Sequence, residues 1–167
     1  GSGGVGTALT ILAKALGARV IAVTTRPSLL KSLGADVVVG YDREELMNAV
    51  NENTEGGVDA AIDSIGDTLP MALDAIRPGG TVVTFGVLGK SSTVQIDIRR
   101  FYLRHTRLVG IHNAAKSYLR EVIEFMVSRG VRPFISRVVT VKETPLLHEL
   151  MESRGVVGKV VMMHEWD

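Results

Sequence analysis

The residues of this chain whose types and spacing could do chemistry stand in its opening stretch, GSGGVG. Gly1, Gly3 and Gly6 form the pattern G-x-G-x-x-G at the mouth of a predicted helix. In such a turn the first glycine permits a tight bend, the second lets the backbone approach a pyrophosphate, and the third lets the helix pack closely. The N–H groups and dipole of the helix then face the phosphate. The pattern predicts a diphosphate-binding turn, although Gly-Ser is also a common cloning remnant.

The second informative stretch lies about 20 residues further on, where the dinucleotide fold usually carries an Asp or Glu for the ribose 2′-hydroxyl. This chain has Thr24, Thr25 and Arg26 at that place, and residues 7–35 contain no acidic side chain. A carboxylate would repel a 2′-phosphate, whereas a guanidinium binds one bidentately. We therefore expect NADP(H) rather than NAD(H). The alternative is that Arg26 is a solvated loop residue before Pro27; the missing acid also disfavours a methyltransferase.

Short β-branched runs alternate with helical patterns along the chain. The predicted strands are Arg19–Thr24, Asp36–Val39, Val58–Asp63, Thr81–Phe85, Leu108–Ile111, Ser136–Val141 and Lys159–Met163. The predicted helices are Val5–Leu16, Pro27–Leu33, Arg43–Asn51, Thr68–Ile76, Ile98–Arg104, Ala115–Arg129 and Pro145–Glu152. Gly17, Gly34 and Gly130 stand where helix ends are expected.

Apolar strands that alternate with helices indicate a parallel sheet covered on both faces. We predict one α/β domain over residues 1–167, a doubly wound parallel sheet of Rossmann type. The strand that should precede the glycine turn is missing from the pattern. Either upstream sequence supplies it or another segment fills its place, and we expect the former.

Composition excludes several classes of function. The 167 residues are 46% hydrophobic, and 19 basic against 18 acidic side chains leave a net charge of +1. This balance argues against a nucleic-acid or membrane surface driven by charge. The absence of cysteine excludes disulfides and thiolate metal sites, and the four histidines lack the pairing of a zinc-binding helix. We expect no metal and a cytoplasmic location.

Three further patterns do not indicate a function. The stretch GKSS resembles a P-loop, but Thr84 stands where that motif requires glycine. Arg99, Arg100, Arg104 and Arg107 are interleaved with aromatic residues, which could suit RNA, but an amphipathic helix face explains them better. No Tyr-x-x-x-Lys occurs, which disfavours the short-chain dehydrogenases.

A series of stretches in the right order carries a family resemblance: GGVGTALTILAKALGARVIAVTT, LGADVVVGYDREEL, GVDAAIDSIGD, AIRPGGTVVTFGVLG and GVVGKVVM. Over nearly all its length the chain resembles the cofactor domain of a medium-chain dehydrogenase/reductase, in the quinone-oxidoreductase and zinc-type alcohol-dehydrogenase-like group. Two departures stand out. The stretch Pro27–Gly34 is about one helical turn shorter than is usual, and the preceding catalytic domain, which carries any zinc ligands, is absent.

The resemblance implies a cofactor site and its residues. The pyrophosphate would lie on Gly3, Gly4, Val5 and Gly6, the 2′-phosphate near Thr24, Thr25 and Arg26, and the adenosine end near Tyr41. The ribose and nicotinamide would be bordered by loop residues that follow three strands: Ser64, Ile65, Gly66, Phe85, Gly86, Val87, His112 and Asn113. Tyr41 and Phe85 are alternatively packing residues, and His112 a loop histidine. No residue has an assignable catalytic role.

The expected function is therefore the NADP(H)-binding part of an oxidoreductase that transfers hydride between nicotinamide and a carbonyl, quinone or enoyl substrate. Two alternatives stay open: a non-catalytic nucleotide-binding or interaction module, and the cofactor domain of an NAD-dependent zinc alcohol dehydrogenase. The alternation in Thr93–Asp97 is typical of an edge strand. The matching strand in related dehydrogenases pairs across a two-fold axis, so we expect a homodimer.

Overall fold

The computed structural model describes residues 1–89, 91–153 and 155–164. Its α-helices are α1 (Gly4–Ala15), α2 (Pro27–Ser32), α3 (Arg43–Asn53), α4 (Leu69–Ala75), α5 (Ile98–Leu103), α6 (Lys116–Ser128) and α7 (Thr144–Glu152). Its strands are β1 (Ile21–Val23), β2 (Val37–Val39), β3 (Val58–Asp63), β4 (Ile76–Thr84), β5 (Arg107–Gly110), β6 (Ile135–Thr140) and β7 (Lys159–Met163). The alternation confirms the predicted α/β class.

The chain divides into two compact units. The first contains residues 1–38 and the described residues from 120 onward, and the second contains residues 39–119. The strands form three sheets, with the orders β1-β2, β3-β4-β5 and β6-β7. Every strand pair whose register is given is parallel, as the apolar strand pattern predicts.

The first unit has a small apolar core beside β1. Ala22, Leu30 and Ala35 are buried together, and half-buried side chains, including Val20 and Val38, pack on them. In the same unit β6 pairs with β7 from Ile135 to Thr140, so the closing KVVMM stretch is a strand as predicted. An isolated parallel bridge joins Gly3 to Gly158, directly before β7.

Helix α1 ends at a glycine, as its sequence predicts, but its most buried side chains are not its leucines. Gly17 has φ +82°, and the following Ala18 N–H donates to the Ala13 carbonyl at 3.0 Å, a left-handed glycine termination. The deepest positions of α1 are Thr7 and Thr10, whereas Leu16 is exposed. The two hydroxyls donate to the carbonyls of Gly3 and Gly6, one turn earlier, and this satisfies their polarity inside the fold.

The second unit is built on the three-stranded sheet with β4 in the centre. Leu69, Ile76 and Val82 form its core, with Leu108 of β5 among the half-buried residues against them. Strand β4 starts five residues before the predicted Thr81. Its early part pairs with β3 irregularly, and regular pairing on both sides begins at Thr81.

Three arginines in and after α5 are engaged within the second unit. Arg100 forms an ion pair with Asp74 at 2.9 Å, and Arg104 donates to the Ile76 carbonyl at 2.5 Å. Arg107 donates to the Gly79 carbonyl at 3.2 Å. These contacts hold α5 and β5 against the end of α4 and the first part of β4. Arg100 lies in α5 as the helix-face interpretation expects, whereas Arg104 follows the helix and Arg107 lies in β5.

The predicted strand Thr93–Asp97 does not form in the described chain. The segment makes no ladder, and Asp97 instead caps α5 by accepting from the Arg100 N–H at 3.0 Å. The alternation of the pattern is nevertheless real, because Val94 and Ile96 are half-buried while Thr93, Gln95 and Asp97 are exposed. An extended segment at a sheet margin is assigned as a strand only when a neighbouring strand pairs with it.

Among the described residues, no helix is both long and apolar enough to cross a bilayer.

Candidate functional site

The glycine turn lies at the N-terminus of α1 in the first unit. Helix α1 begins at Gly4, and Gly3 is its N-cap, with an extended backbone (φ −77°, ψ 179°) and no capping side chain. The first N–H groups of a helix have no carbonyl partner within the helix, and they carry the positive end of its dipole. No acidic residue stands in the first turn of α1. These donors therefore suit an anion.

The three glycines of the motif occupy different surroundings. A Cβ on Gly6 would overlap the backbone of Gly1, so the turn can close only on a glycine there. The Gly1 nitrogen donates to the Val23 carbonyl at 2.6 Å, which docks the turn on the end of β1. A Cβ on Gly3 would meet nothing within 4 Å. The open space at Gly3 is where the motif requires room for a pyrophosphate.

The closing strand brings the stem of a lysine side chain to this turn, a contact that sequence reasoning missed. A Cβ on Gly4 would lie 2.9 Å from the Cδ and Cε atoms of Lys159, so the lysine stem passes directly over the start of α1. The Gly158 N–H donates to the Ser2 carbonyl at 3.1 Å and fixes this approach. The signal in the sequence was the Gly-Lys pair opening KVVMM, but nothing local shows that this strand lies at the glycine turn.

The end of β1 arranges Thr24, Thr25 and Arg26 as a tight bend. Thr24 is buried, and its hydroxyl accepts from the Arg26 N–H at 3.1 Å. Thr25 is exposed and Arg26 half-exposed, and Arg26 is the N-cap residue of α2. The threonine thus fixes where the backbone leaves the strand, and with it the position from which the guanidinium extends.

The first acidic residue after the acid-free stretch 7–35 is Asp36, which is engaged by other residues of the first unit. Asp36 binds the Lys14 ammonium at 2.8 Å and accepts from the Val20 N–H at 2.7 Å. These hydrogen bonds, the one from Lys14 first, lower the pKa of Asp36 below its ordinary value of 3.8. The carboxylate therefore neutralises Lys14.

In the second unit, the loop after β3 is organised by a buried carboxylate. Asp63 is 2% exposed and accepts from the N–H groups of Ile65 (3.3 Å) and Gly66 (3.0 Å). It also accepts from the Thr68 hydroxyl, and from the Thr84 hydroxyl of β4 at 2.9 Å. The resemblance had pointed to Ser64, Ile65 and Gly66 but not to the aspartate that shapes them.

The loop after β4 packs on the loop after β3. The N–H groups of Leu88 and Gly89 both donate to the Ile65 carbonyl, at 2.9 and 3.0 Å. A Cβ on Gly86, which has φ +97°, would lie 3.2 Å from the Ser64 carbonyl oxygen. The second unit therefore brings Ser64, Ile65 and Gly66 together with Phe85, Gly86 and Val87. Phe85 is half-buried, whereas Val87 is 63% exposed.

The remaining predicted residues follow β5 and β2. His112 and Asn113 are exposed beyond the end of β5, and Asn113 has φ +59°, a left-handed conformation that asparagine tolerates better than most residues. Tyr41 stands just after β2 and is 42% exposed. Among the described residues, no three His, Asp or Glu side chains converge on a point where a metal could bind.

A fold of parallel strands and helices with a glycine turn opening a helix defines a Rossmann-type cofactor domain. The sequence profile described as "Zinc-binding dehydrogenase" matches residues 4–128. A probable quinone oxidoreductase of Schizosaccharomyces pombe is 32% identical over 97% of this chain and 52% of its own length. An acryloyl-coenzyme A reductase of Sulfurisphaera tokodaii is 27% identical over 96% of this chain and 48% of its own length.

Solved structures agree with the sequence relatives. A structure titled AibC superposes with a TM-score of 0.87 at 32% identity, covering 99% of this chain and 47% of its own. Mycobacterial Rv1454c complexed with NADPH superposes with a TM-score of 0.77 at 28% identity, covering 98% of this chain and 54% of its own. The chain belongs to the medium-chain dehydrogenase/reductase family and corresponds to its cofactor domain. It spans about half the length of the curated relatives it matches.

Proposed function

We propose that this chain is the NADP(H)-binding part of an oxidoreductase that transfers hydride between nicotinamide and a carbonyl, quinone or enoyl substrate. The observation that carries the proposal is the glycine turn in the first unit. Its helix N-terminus has no acidic residue in the first turn, Gly3 leaves open space, and Lys159 passes over Gly4. The oxygens of a diphosphate would accept hydrogen bonds from these N–H groups, and their negative charge would attract the lysine.

Support for the 2′-phosphate comes from the bend after β1. The bend places a guanidinium at the N-cap of α2, with Thr24 holding the backbone, and residues 7–35 contain no carboxylate. A solved relative in complex with NADPH agrees with this choice of cofactor. The residues proposed for the first unit are Gly3, Gly4, Val5, Gly6, Thr24, Thr25 and Arg26.

The second unit supplies the residues proposed for the ribose and nicotinamide: Ser64, Ile65, Gly66, Phe85, Gly86, Val87, His112 and Asn113, with Tyr41 toward the adenosine. When bound, the nicotinamide supplies the hydride chemistry. The protein's own task is to orient the ring and to exclude water from it. The names of the two curated relatives, a quinone oxidoreductase and an acryloyl-coenzyme A reductase, support a quinone or an activated alkene as the acceptor.

The intact enzyme is proposed to contain a catalytic domain besides this chain, because the relatives are about twice as long. That domain supplies the substrate pocket. A homodimer through Thr93–Asp97 and a cytoplasmic location remain predictions from the sequence.

The experiment is a fluorescence titration of the chain with NADPH and with NADH. We expect tighter binding of NADPH, and we expect Arg26→Ala to weaken NADPH about 10- to 150-fold with little effect on NADH. The estimate follows from about 1.5–3 kcal/mol for a hydrogen bond to a charged group, at about 1.4 kcal/mol per factor of ten.

Arg132→Ala is the matched control, because Arg132 is an exposed arginine outside the proposed site. Equal affinities for NADPH and NADH in the unaltered chain would refute the 2′-phosphate assignment and favour the NAD-dependent alternative.

A quinone acceptor added to the NADPH complex tests turnover. We expect binding without oxidation from this chain alone.

A further inference from the structure

Asp63 is a buried ionisable group without a role in the proposed chemistry. It lies at the end of β3, is 2% exposed, and pairs across the parallel ladder with Thr84 of β4. A buried carboxylate is tolerated only when hydrogen bonds replace its lost water. Among the described residues, its partners are the backbone N–H groups of Ile65 and Gly66 and the hydroxyls of Thr68 and Thr84.

These donors come from three different pieces of the second unit. Ile65 and Gly66 form the loop after β3, Thr68 is the N-cap residue of α4, and Thr84 ends β4. The Thr68 hydroxyl makes no capping bond to its own helix. One side chain thus fixes where a loop, a helix and a strand meet.

The loop after β4 depends on the same arrangement. The N–H of Ile65 donates to Asp63, and the carbonyl of the same residue accepts from the N–H groups of Leu88 and Gly89. The Asp63 carbonyl accepts from the Phe85 N–H at 3.1 Å. A change in the path of residues 64–66 therefore moves the anchor of residues 85–89.

We propose that Asp63 is a positioning residue that sets the mutual approach of the loops after β3 and β4, and so the geometry offered to the ribose and nicotinamide half of the dinucleotide. The inference rests on the proposed function. It assigns Asp63 no contact with the cofactor, and its influence passes through Ile65 and Gly66. The adenosine phosphates are assigned to residues of the first unit, whereas the partners of Asp63 named above all lie in the second unit.

The test compares two probes on the same variants: NADPH, and adenosine 2′,5′-bisphosphate, which lacks the ribose and nicotinamide half. Asp63→Ala should weaken NADPH at least tenfold and leave adenosine 2′,5′-bisphosphate within about twofold. Asp63→Asn keeps an acceptor for the two N–H groups and should recover most of the NADPH affinity. A general folding defect would weaken both probes equally.

Two further measurements keep the test decisive if Asp63→Ala does not fold. Thr84→Val removes one donor with almost no change of shape, and it should show the same selective loss on a smaller scale. Hydrogen exchange at the Leu88 and Gly89 amides should speed up in the altered chains. Unchanged NADPH affinity, or equal loss for both probes, overturns the assignment. If the unaltered chain binds neither probe, the proposed function itself fails.

Discussion

Gly3 and Gly6 belong to one motif but are glycines for different reasons. At Gly6 the constraint is internal, because an added Cβ would overlap the Gly1 backbone. At Gly3 an added Cβ meets nothing, and its φ of −77° is one that any residue adopts. The fold alone therefore does not require glycine at position 3. A diphosphate bound against the backbone at this position would require it.

Gly3→Ala and Gly6→Ala separate the two reasons. Gly6→Ala should lower the free energy of unfolding by about 1–3 kcal/mol, as overpacked sites do, and weaken NADPH with it. Gly3→Ala should change the free energy of unfolding by less than about 0.5 kcal/mol yet weaken NADPH more than tenfold. Denaturant unfolding and NADPH titration of both variants measure these effects. If Gly3→Ala binds NADPH as the unaltered chain does, the pyrophosphate does not lie at Gly3.

Arg26 and Lys159 show how differently two cations can be foreseen. Arg26 stays a prediction from the sequence, made because its distance from the glycines along the chain is typical of the fold. Lys159 was missed, because it comes from the last described strand and only the bridge between Gly3 and Gly158 brings it to Gly4. Sequence spacing identifies residues whose position is fixed by nearby turns, and it does not identify contacts between distant strands.

At the scale of elements, Asp36 connects three pieces of the first unit. Its carboxylate joins Lys14 in α1 to the Val20 N–H before β1, and Asp36 itself directly precedes β2. These bonds depress its pKa, so the carboxylate stabilises the fold above the unfolded-state value of 3.8. The contribution is lost as the pH falls through the lower value of the folded state.

Asp36→Asn should therefore lower the thermal midpoint at pH 7, because the amide loses the charge that attracts Lys14. The difference from the unaltered chain should persist down to about pH 4, then shrink below it as Asp36 becomes protonated. Thermal melts between pH 7 and pH 2.5 measure the difference. Glu52→Gln, at an exposed position of α3, is the control. A difference that stays constant to pH 2.5 would contradict an electrostatic origin.

Element boundaries show which sequence signals are local. The glycines at 17, 34 and 130 end their helices with positive φ, as predicted, because each termination depends only on the preceding turn. The sequence predicts too late a start for β4, because the irregular first part of the strand is held by distant partners. It pairs with Val58, and its Gly79 N–H donates to the Arg104 carbonyl. Those partners lie elsewhere in the second unit, so the local sequence pattern does not reveal them.

At the scale of the whole molecule, the segment Thr93–Asp97 remains the proposed contact with a second copy. Val94 and Ile96 are half-buried, and the alternate residues Thr93 and Gln95 are exposed. The segment thus has the alternating burial of a strand with one buried face, but it pairs with no other strand in the described part of the chain. Pairing with the same segment of another copy would place it in a ladder that crosses a two-fold axis.

Thr93→Lys with Gln95→Lys should separate the proposed dimer, because lysines opposite one another across a two-fold pair repel. The packing of Val94 and Ile96 is untouched, so folding should survive. Light scattering should give twice the 18.0 kDa chain mass for the unaltered protein and the single mass for the double variant. Thr93→Ser with Gln95→Asn is the neutral control. A monomeric unaltered chain would exclude this contact in solution.

The sequence by itself determined the α/β order, the glycine turn, the acid-free bend at Arg26 and the family, because these depend on residues a few positions apart or on a serial match. Only the tertiary structure decided that Asp63 joins two loops, that Lys159 covers Gly4, that threonines are the deepest positions of α1, and that Thr93–Asp97 makes no ladder with the rest of the described chain. Each of these depends on which distant backbone groups become neighbours when apolar surface is buried. Spacing along the chain does not carry that information.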